Sequence, residues 1–350
     1  MLVANGAPGV LVELVTPRGG VKVRSGRGDL RTQAPVPWNA KFRIGSFTKT
    51  FLAATLLQLV GEGRLSLEDS VDRWLPGLVS GNGNDGRAIT VRQLLQHTSG
   101  LPEYVAGMPD LFDEKGFRHA RFTTLEPEDA VRLALRSAPD FPPGTGWNYS
   151  NTNFMLAGMI LEKVTGRTWQ HEVTARIVRP LGLHHTSTPG TSPFIPHPHA
   201  RGYDRFPEEG PGGEVGYRPV VDVTVMNPSW GGPAGAMIST TEDGNEFLRA
   251  LMDGRVLRPA QLAEMKRTVP TTEGRAEYGL GLIKTPTACG SAYSHGGTIH
   301  GFRTRNGVTE DGRRSVVVSV NTRTPIAPDG TVQPDGPVEA LIEHALCGTS

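Results

Sequence analysis

The sequence predicts an α/β protein of the α+β type, with an antiparallel sheet flanked by helices and interrupted by a helical insertion. Short β-branched runs separated by turn residues predict strands at residues 10–26 and again after residue 220. The middle of the chain instead has helical periodicity, as in "EPEDAVRLALRSA" and "NTNFMLAGMILEKVTG". We therefore expect a sheet subdomain from residues 1–64 and 221–350, a mostly helical subdomain from residues 65–220, and a functional cleft between them.

The composition is that of a globular chain and argues against two kinds of partner. Of the 350 residues, 37% are hydrophobic, which is enough for a substantial core. The 36 basic and 35 acidic residues nearly balance, and no basic cluster with interleaved aromatics occurs, so we expect no nucleic-acid partner. The longest apolar run, residues 51–60, is too short to span a bilayer, so we expect no membrane span.

A candidate nucleophile lies at the start of a predicted buried helix. Residues 46–60 are apolar on nearly every face, and Gly61 and Gly63 end the pattern. Lys49 follows Ser46 by three residues, so the two side chains share one face of the helix. Burial lowers the pKa of a lysine, and a neutral amine can take the proton of a serine hydroxyl. The alternative is an ordinary helix cap followed by a lysine that points to water.

A second candidate is "PPGTGWNYSNTNF", where Tyr149 and Asn151 follow a turn rich in Pro and Gly and precede a helix. Tyrosine and asparagine also occur at such junctions simply as turn and capping residues. These residues alone therefore leave both interpretations open.

The third candidate is "YSHGGTIHGF", residues 293–302, which we predict to lie on a strand. His295 and His300 are five residues apart, so on one strand they point to opposite faces and cannot share a metal ion. Other histidines lie in a segment rich in proline, without a carboxylate at a ligand spacing: His184, His185, His197 and His199. We expect no metal site.

Together, and in this order, Ser46-x-x-Lys49, Tyr149-x-Asn151 and His295-Gly296-Gly297 resemble the motifs of the serine β-lactamase and penicillin-binding protein superfamily. The likeness covers residues 41–348, including "FRIGSFTKTFLAATLLQLVGEG" and "SWGGPAGAMIST". Within the superfamily, the chain is most similar to soluble D-alanyl-D-alanine carboxypeptidases/transpeptidases of the class C β-lactamase group. The resemblance implies the β-lactamase/transpeptidase-like fold, with the active site between the sheet and an all-helical subdomain.

The resemblance also implies catalytic roles. Ser46 would form an acyl-enzyme, while Lys49 and Tyr149 would share the proton transfers, in an order that stays open. Asn151 would hydrogen-bond the substrate amide, and His295 would line the opposite wall beside Tyr149. No cofactor is implied, because serine, lysine and tyrosine suffice for this chemistry.

The oxyanion hole would consist of the backbone N–H groups of Ser46 and Thr298. Further residues are expected to contact the substrate: Trp230, Gly296, Gly297, Thr298 and Arg303.

Two positions depart from the carboxypeptidase pattern. Gly296 stands where the relative has threonine, and Ile283 stands where it has arginine, and both of the relative's residues help to hold a free carboxylate. Lys284 would face the other side of its strand, which leaves Arg303 as a substitute. Recognition of a free terminal carboxylate is thus weakened.

The expected function is a serine hydrolase that acts on a small peptide, a D-amino-acid amide or an ester, with D-alanyl-D-alanine carboxypeptidase as the nearest activity and β-lactams as covalent inhibitors. One alternative of the same fold is an esterase, a D-stereospecific amidase or endopeptidase, or a peptide thioesterase that cyclises peptides. An alternative of another class is a penicillin-sensing protein without turnover.

The chain has two cysteines, Cys289 and Cys347, whose positions alone are equally consistent with a disulfide and with two free thiols. The carboxypeptidase relative has a cysteine pair at matching positions, which favours a disulfide and an exported protein. The first residues lack the basic start and long apolar stretch of a secretory signal, and relatives begin with a long helix. An export signal could have preceded this start, and the sequence leaves open whether the amino end is truncated.

Overall fold

The computed structural model describes residues 3, 6–209, 215–217, 219–272, 274–326 and 336–348, so parts of both predicted subdomains lie outside the described residues. Its strands are β1 (Gly9–Thr16), β2 (Gly19–Gly26), β3 (Phe42–Arg43), β4 (Ser80–Gly81), β5 (Asn84–Asp85), β6 (Tyr203–Asp204), β7 (Pro207–Glu209), β8 (Val215–Tyr217), β9 (Val221–Asp222), β10 (Ile238–Ser239), β11 (Val269–Pro270), β12 (Glu277–Tyr278), β13 (Ile283–Thr287), β14 (Gly290–Ser294), β15 (Gly297–Ile299), β16 (Phe302–Thr309) and β17 (Ser315–Val320).

Its α-helices are α1 (Thr48–Gly61), α2 (Val71–Trp74), α3 (Val91–Gln96), α4 (Glu114–Ala120), α5 (Pro127–Ala134), α6 (Asn151–Thr165), α7 (Trp169–Val173), α8 (Gly232–Gly235), α9 (Thr241–Met252), α10 (Pro259–Met265) and α11 (Gly336–Cys347). Shorter helical turns are Gly45–Phe47, Tyr104–Gly107, Pro109–Phe112 and Thr174–Val178.

The two ends of the chain form one nine-stranded sheet, in the order β11-β12-β13-β14-β16-β17-β1-β2, with β15 paired to β16. Neighbouring strands are antiparallel, and β1 pairs with β17 in the register Val10 to Val320. The antiparallel sheet that the sequence predicts is therefore confirmed. All six residues of β17 are buried, because helices α9 and α11 pack against this central strand.

Helix α1 is the central helix of the protein. It contacts α6, α7, α8 and α10, and every residue from Thr48 to Leu57 is buried. The apolar pattern on nearly all faces predicts such burial, since no face is reserved for water. Lys49, in the first turn, is consequently buried with the rest of the helix.

The predicted insertion, residues 65–220, contains helices α2 to α7 together with the short ladders β4/β5 and β7/β8. Helix α6 contacts α1, α3, α5 and α8. The amino end of α6 thereby lies against the first turn of α1, where the two sequence motifs meet.

The segment predicted as a single strand is instead divided, which corrects that expectation. It forms β14, β15 and part of β16, and His300 and Gly301 make the turn, with Gly301 at φ +79°. At His295 the backbone ladder is replaced by the side chain of Asn306, which accepts from His295 N–H and donates to His295 C=O, both at 3.0 Å. The local sequence did not show this, because a side chain here takes the place of a backbone partner.

Cys289 and Cys347 form a disulfide that joins the β13–β14 turn to the end of α11. Among the described residues, no helix combines the length and apolarity needed to cross a bilayer.

Candidate active site

The candidate nucleophile, Ser46, lies half-buried in the helical turn that precedes α1. The Lys49 Nζ is 3.1 Å from the Ser46 Oγ. The same amine donates to the backbone carbonyl of Ala234 at 2.8 Å and contacts the Asn151 Oδ1 at 2.7 Å. The spacing that predicts a shared helical face thus produces direct contact between serine and lysine.

The lowered pKa of Lys49 would allow its amine to act as a general base. Burial lowers its pKa from 10.5 to about 7, and the nearby Glu103 carboxylate partly opposes this effect. An amine with a pKa near neutrality is deprotonated in a large fraction of molecules at pH 7, so it can accept a proton from a hydroxyl.

Tyr149 lies beside this pair. The Lys49 Nζ is 4.9 Å from the centre of the Tyr149 ring, and the His97 imidazole packs on the ring with a centroid separation of 4.2 Å. The His97 Nδ1 faces the backbone N–H of Ser150 at 3.2 Å. Because that nitrogen must accept, His97 is neutral with its proton on Nε2, and burial holds its pKa well below the usual value.

His295 lies on the opposite wall, with its ring centre 6.3 Å from that of Tyr149. Its Nδ1 is 2.7 Å from the Gly296 carbonyl oxygen, which can only accept, so Nδ1 carries the proton. Its Nε2 then accepts from the Tyr278 hydroxyl at 2.8 Å. Burial, with a smaller effect of Lys49, lowers the pKa of His295 to about 3. We infer that His295 is a neutral wall residue with both nitrogens occupied, and not a proton carrier.

The two backbone segments predicted to form the oxyanion hole approach each other closely. A methyl group placed on Gly297 would lie 1.9 Å from the Ile44 carbonyl oxygen and 2.9 Å from the Ser46 nitrogen. Gly45, at φ +56°, has similarly little space, since its methyl group would lie 2.7 Å from the Thr298 nitrogen. These two glycines bring strand β15 against the Ser46 turn.

The register of β15 shows whether the Thr298 N–H is free of the sheet to act in the predicted oxyanion hole. A two-residue turn joins it to β16, so the pair Ile299–Phe302 beside the turn is hydrogen-bonded and the next pair, Thr298–Arg303, is not. The N–H of Thr298 therefore points away from β16 and takes no part in this ladder.

The remaining predicted substrate contacts are more dispersed. Trp230 is half-buried, and its carbonyl accepts from the Tyr104 hydroxyl. Arg303 shares a face of the sheet with Thr298, opposite to the face on which Gly297 meets the Ser46 turn. Lys284 forms an ion pair with Glu277 at 3.3 Å. Arg303 stays a predicted substrate contact.

The Arg305 side chain lies close to Gly296, since a methyl group placed on Gly296 would lie 3.1 Å from the Arg305 Nη1.

Among the described residues, no three His, Cys, Asp or Glu side chains are arranged to hold a metal ion.

Four participants were not identified from the sequence: Glu103, His97, Tyr278 and the carbonyl of Ala234. Glu103 accepts from both nitrogens of Asn151, a residue 48 positions away. The sequence around these residues gives no indication of such contacts. The contact between Glu103 and Asn151 depends on the packing of the amino end of α6 against the segment that carries Glu103.

Comparisons with known proteins place the chain in a family. The Beta-lactamase family profile matches residues 2–334. A D-stereospecific amidohydrolase from Streptomyces sp. is 40% identical, with a TM-score of 0.88 over 100% of this chain and 96% of that one. D-amino acid amidase from Ochrobactrum anthropi SV3, in complex with D-phenylalanine, is 31% identical, with a TM-score of 0.78 over 91% of this chain and 88% of that one.

Penicillin-binding protein 4* of Bacillus subtilis is 31% identical over 163 residues, which are 46% of this chain and 33% of that protein. The chain thus matches about a third of that relative's length. Since the family profile covers nearly the whole sequence, the chain belongs to the Beta-lactamase family and is a serine hydrolase of the β-lactamase and penicillin-binding protein type.

Proposed function

We propose that the protein is a D-stereospecific amidohydrolase that cleaves D-amino-acid amides or short peptides through an acyl-enzyme on Ser46. The observation that carries the proposal is the contact of 3.1 Å between the Ser46 hydroxyl and a buried lysine whose pKa is lowered to about 7. The Streptomyces and Ochrobactrum proteins support an amide substrate, since their names describe that activity.

In the proposed reaction, the Ser46 Oγ attacks the amide carbonyl carbon and gives its proton to Lys49. The negative charge that develops on the carbonyl oxygen is stabilised by the N–H groups of Ser46 and Thr298. Lys49, with Tyr149 beside it, returns the proton to the leaving nitrogen, and the C–N bond breaks. Water then hydrolyses the ester on Ser46 with Lys49 again as the base.

A D-alanyl-D-alanine carboxypeptidase is the second candidate. The likeness to Penicillin-binding protein 4* favours it, whereas Gly296 and Ile283, in place of the residues that hold a free carboxylate, argue against it. An esterase of the same fold would use the same nucleophile, and a penicillin-sensing protein would be acylated without turnover.

The test compares rates on D-phenylalanine amide, L-phenylalanine amide, a D-Ala-D-Ala peptide with a free terminus, the same peptide amidated, and a simple acyl ester. We expect the D-amide to be the best substrate and the L-amide to be poor. Faster cleavage of the free-terminus peptide than of its amidated form would favour the carboxypeptidase, and activity on the ester alone would favour the esterase.

The nucleophile is tested separately with a fluorophosphonate and a fluorescent penicillin, which we propose as covalent ligands. Ser46→Ala should abolish labelling by both. An adduct located by mass spectrometry on another residue would refute the mechanism. Labelling of Ser46 without turnover of any substrate would indicate the penicillin-sensing alternative.

We also propose that the protein works outside the cytoplasm. The disulfide between Cys289 and Cys347 supports this location, since disulfides persist in oxidising compartments. Fractionation of the source cells, with an antibody against the protein, tests it.

A further inference from the structure

Glu103 lies half-buried next to the candidate site, at the start of the helical turn Tyr104–Gly107. Its Oε1 accepts from the backbone N–H of Val105 at 3.0 Å. Its Oε2 accepts from the backbone N–H and from the side-chain Nδ2 of Asn151, both at 2.8 Å. Neither motif spacing nor the proposed mechanism assigns a role to this carboxylate.

The carboxylate determines which way the Asn151 amide faces. A carboxylate oxygen can only accept, so the amide must turn its NH₂ group to Glu103. The Oδ1 of Asn151 must then face the Lys49 Nζ, which lies 2.7 Å away. With the opposite orientation, Asn151 would place an acceptor against an acceptor at Glu103.

The orientation of the Asn151 amide determines which hydrogen bonds the Lys49 amine can make. A neutral amine has two N–H donors and one lone pair. The Ala234 carbonyl and the Asn151 Oδ1 can only accept, and they take the two N–H groups at 2.8 and 2.7 Å. The lone pair is left for the third neighbour, the Ser46 Oγ at 3.1 Å, which must donate its proton along this contact. A reversed Asn151 amide would offer an N–H to the lone pair and compete with the serine.

We propose that Glu103 is a positioning residue that locks the Asn151 amide and so reserves the lone pair of Lys49 for the Ser46 hydroxyl. The proposal rests on the proposed acyl-enzyme function. It also assigns the first proton transfer to Lys49 and not to Tyr149. The second N–H of the locked Asn151 amide stays available for a substrate carbonyl.

The negative charge of Glu103 also affects the pKa of Lys49, in the direction opposite to burial. The charge raises the pKa of Lys49, which burial lowers. The other titratable groups around the amine are the imidazoles of His97 and His295, whose pKa values lie below the usual range, and the phenol of Tyr149. Removal of the Glu103 charge should therefore shift the acid limb of the pH profile to lower pH while the maximal rate falls.

The test is Glu103→Gln in the full chain, with Glu126→Gln as a matched control at an exposed position of the predicted helical subdomain. A glutamine has one accepting atom and cannot serve all three N–H donors that surround Glu103. We expect kcat to fall about tenfold or more, which is the loss for hydrogen bonds to a charged group, with KM changed less than about twofold. The control should behave as the wild type.

A double-mutant cycle with Asn151→Ala separates positioning from other roles. If Glu103 acts through Asn151, Glu103→Gln should lower kcat little further when Asn151 is already alanine. Glu103→Asp, which keeps the carboxylate, should restore part of the rate, and near-ultraviolet circular dichroism checks that each variant folds.

Three results would overturn the proposal: a wild-type kcat in Glu103→Gln, additive losses in the cycle, or a loss confined to KM and to substrates with a free α-ammonium group. The last result would mean that Glu103 contacts substrate. Failure of the proposed function is a separate outcome, seen as absence of wild-type turnover and of Ser46 labelling.

Discussion

Replacement of Lys49 by methionine should make the stability of the protein less dependent on pH. Lys49 is fully buried, and burial lowers its pKa from 10.5 to about 7. Each pKa unit corresponds to about 1.4 kcal/mol, so the shift represents roughly 5 kcal/mol by which the fold disfavours the charged amine. Methionine has a similar length and no charge, and it removes this contribution without opening a large cavity.

The direction of this pH dependence follows from the protons that Lys49 binds in the folded and unfolded states. Between about pH 7 and pH 10.5 the unfolded chain keeps the proton on Lys49 while the folded protein releases it, so the free energy of unfolding rises with pH. Below about pH 7 both states are protonated and the full penalty is present. Between pH 7 and pH 9, the wild type should gain about 2 kcal/mol of unfolding free energy relative to Lys49→Met.

Urea denaturation followed by tryptophan fluorescence measures the difference. The window from pH 7 to pH 9 is chosen because His97 and His295 have lowered pKa values and remain neutral in the folded protein there. Lys163→Met, at an exposed lysine of α6, is the matched control and should differ from the wild type by the same amount at every pH. A difference between Lys49→Met and the wild type that is constant across this window would refute the assignment of a lowered pKa to Lys49.

Three further predictions concern the site. Gly297→Ala should lower kcat about a hundredfold or more, which is the loss expected when an oxyanion donor is removed. The cause is steric, because the new methyl group would lie 1.9 Å from the Ile44 carbonyl oxygen. A rate within threefold of wild type would contradict the proposed oxyanion hole. Tyr278→Phe leaves the Nε2 of His295 without its donor and should lower the free energy of unfolding by about 1–3 kcal/mol, measured by urea denaturation. The acid limb of kcat/KM should follow a single proton with a midpoint near pH 7, set by Lys49, and a slope of two in the logarithmic plot would mean that another group also titrates.

The sequence was most informative where geometry is local. Helical periodicity places residues three apart on one face, so the Ser46 and Lys49 contact follows from spacing once the helix is recognised. The buried character of α1 likewise follows from its apolar pattern. The meeting of Tyr149 with this pair did not follow from periodicity, and it was expected only from resemblance to a family.

Contacts that depend on the packing of distant segments were missed. Tyr278 lies in the two-residue strand β12, and the partner of its hydroxyl, His295, is 17 residues away, directly after β14. The direction of a tyrosine side chain there depends on the register of several strands. Asn306 shows the same limit, because its side chain replaces backbone pairing at His295 in a way that no strand pattern predicts.

The buried polar groups around Lys49 have a common chemical consequence. His97 and His295 are each held neutral by burial and by fixed hydrogen bonds. Neither therefore adds a positive charge that would lower the pKa of Lys49 further. Glu103 is the group that opposes burial, and its charge keeps the pKa of Lys49 near 7 rather than lower. A base needs a pKa close to the working pH, since a much lower value would weaken its pull on the serine proton. The same carboxylate that orients Asn151 therefore also keeps Lys49 basic enough to act, which explains why an acidic side chain is compatible with a site that depends on a neutral lysine.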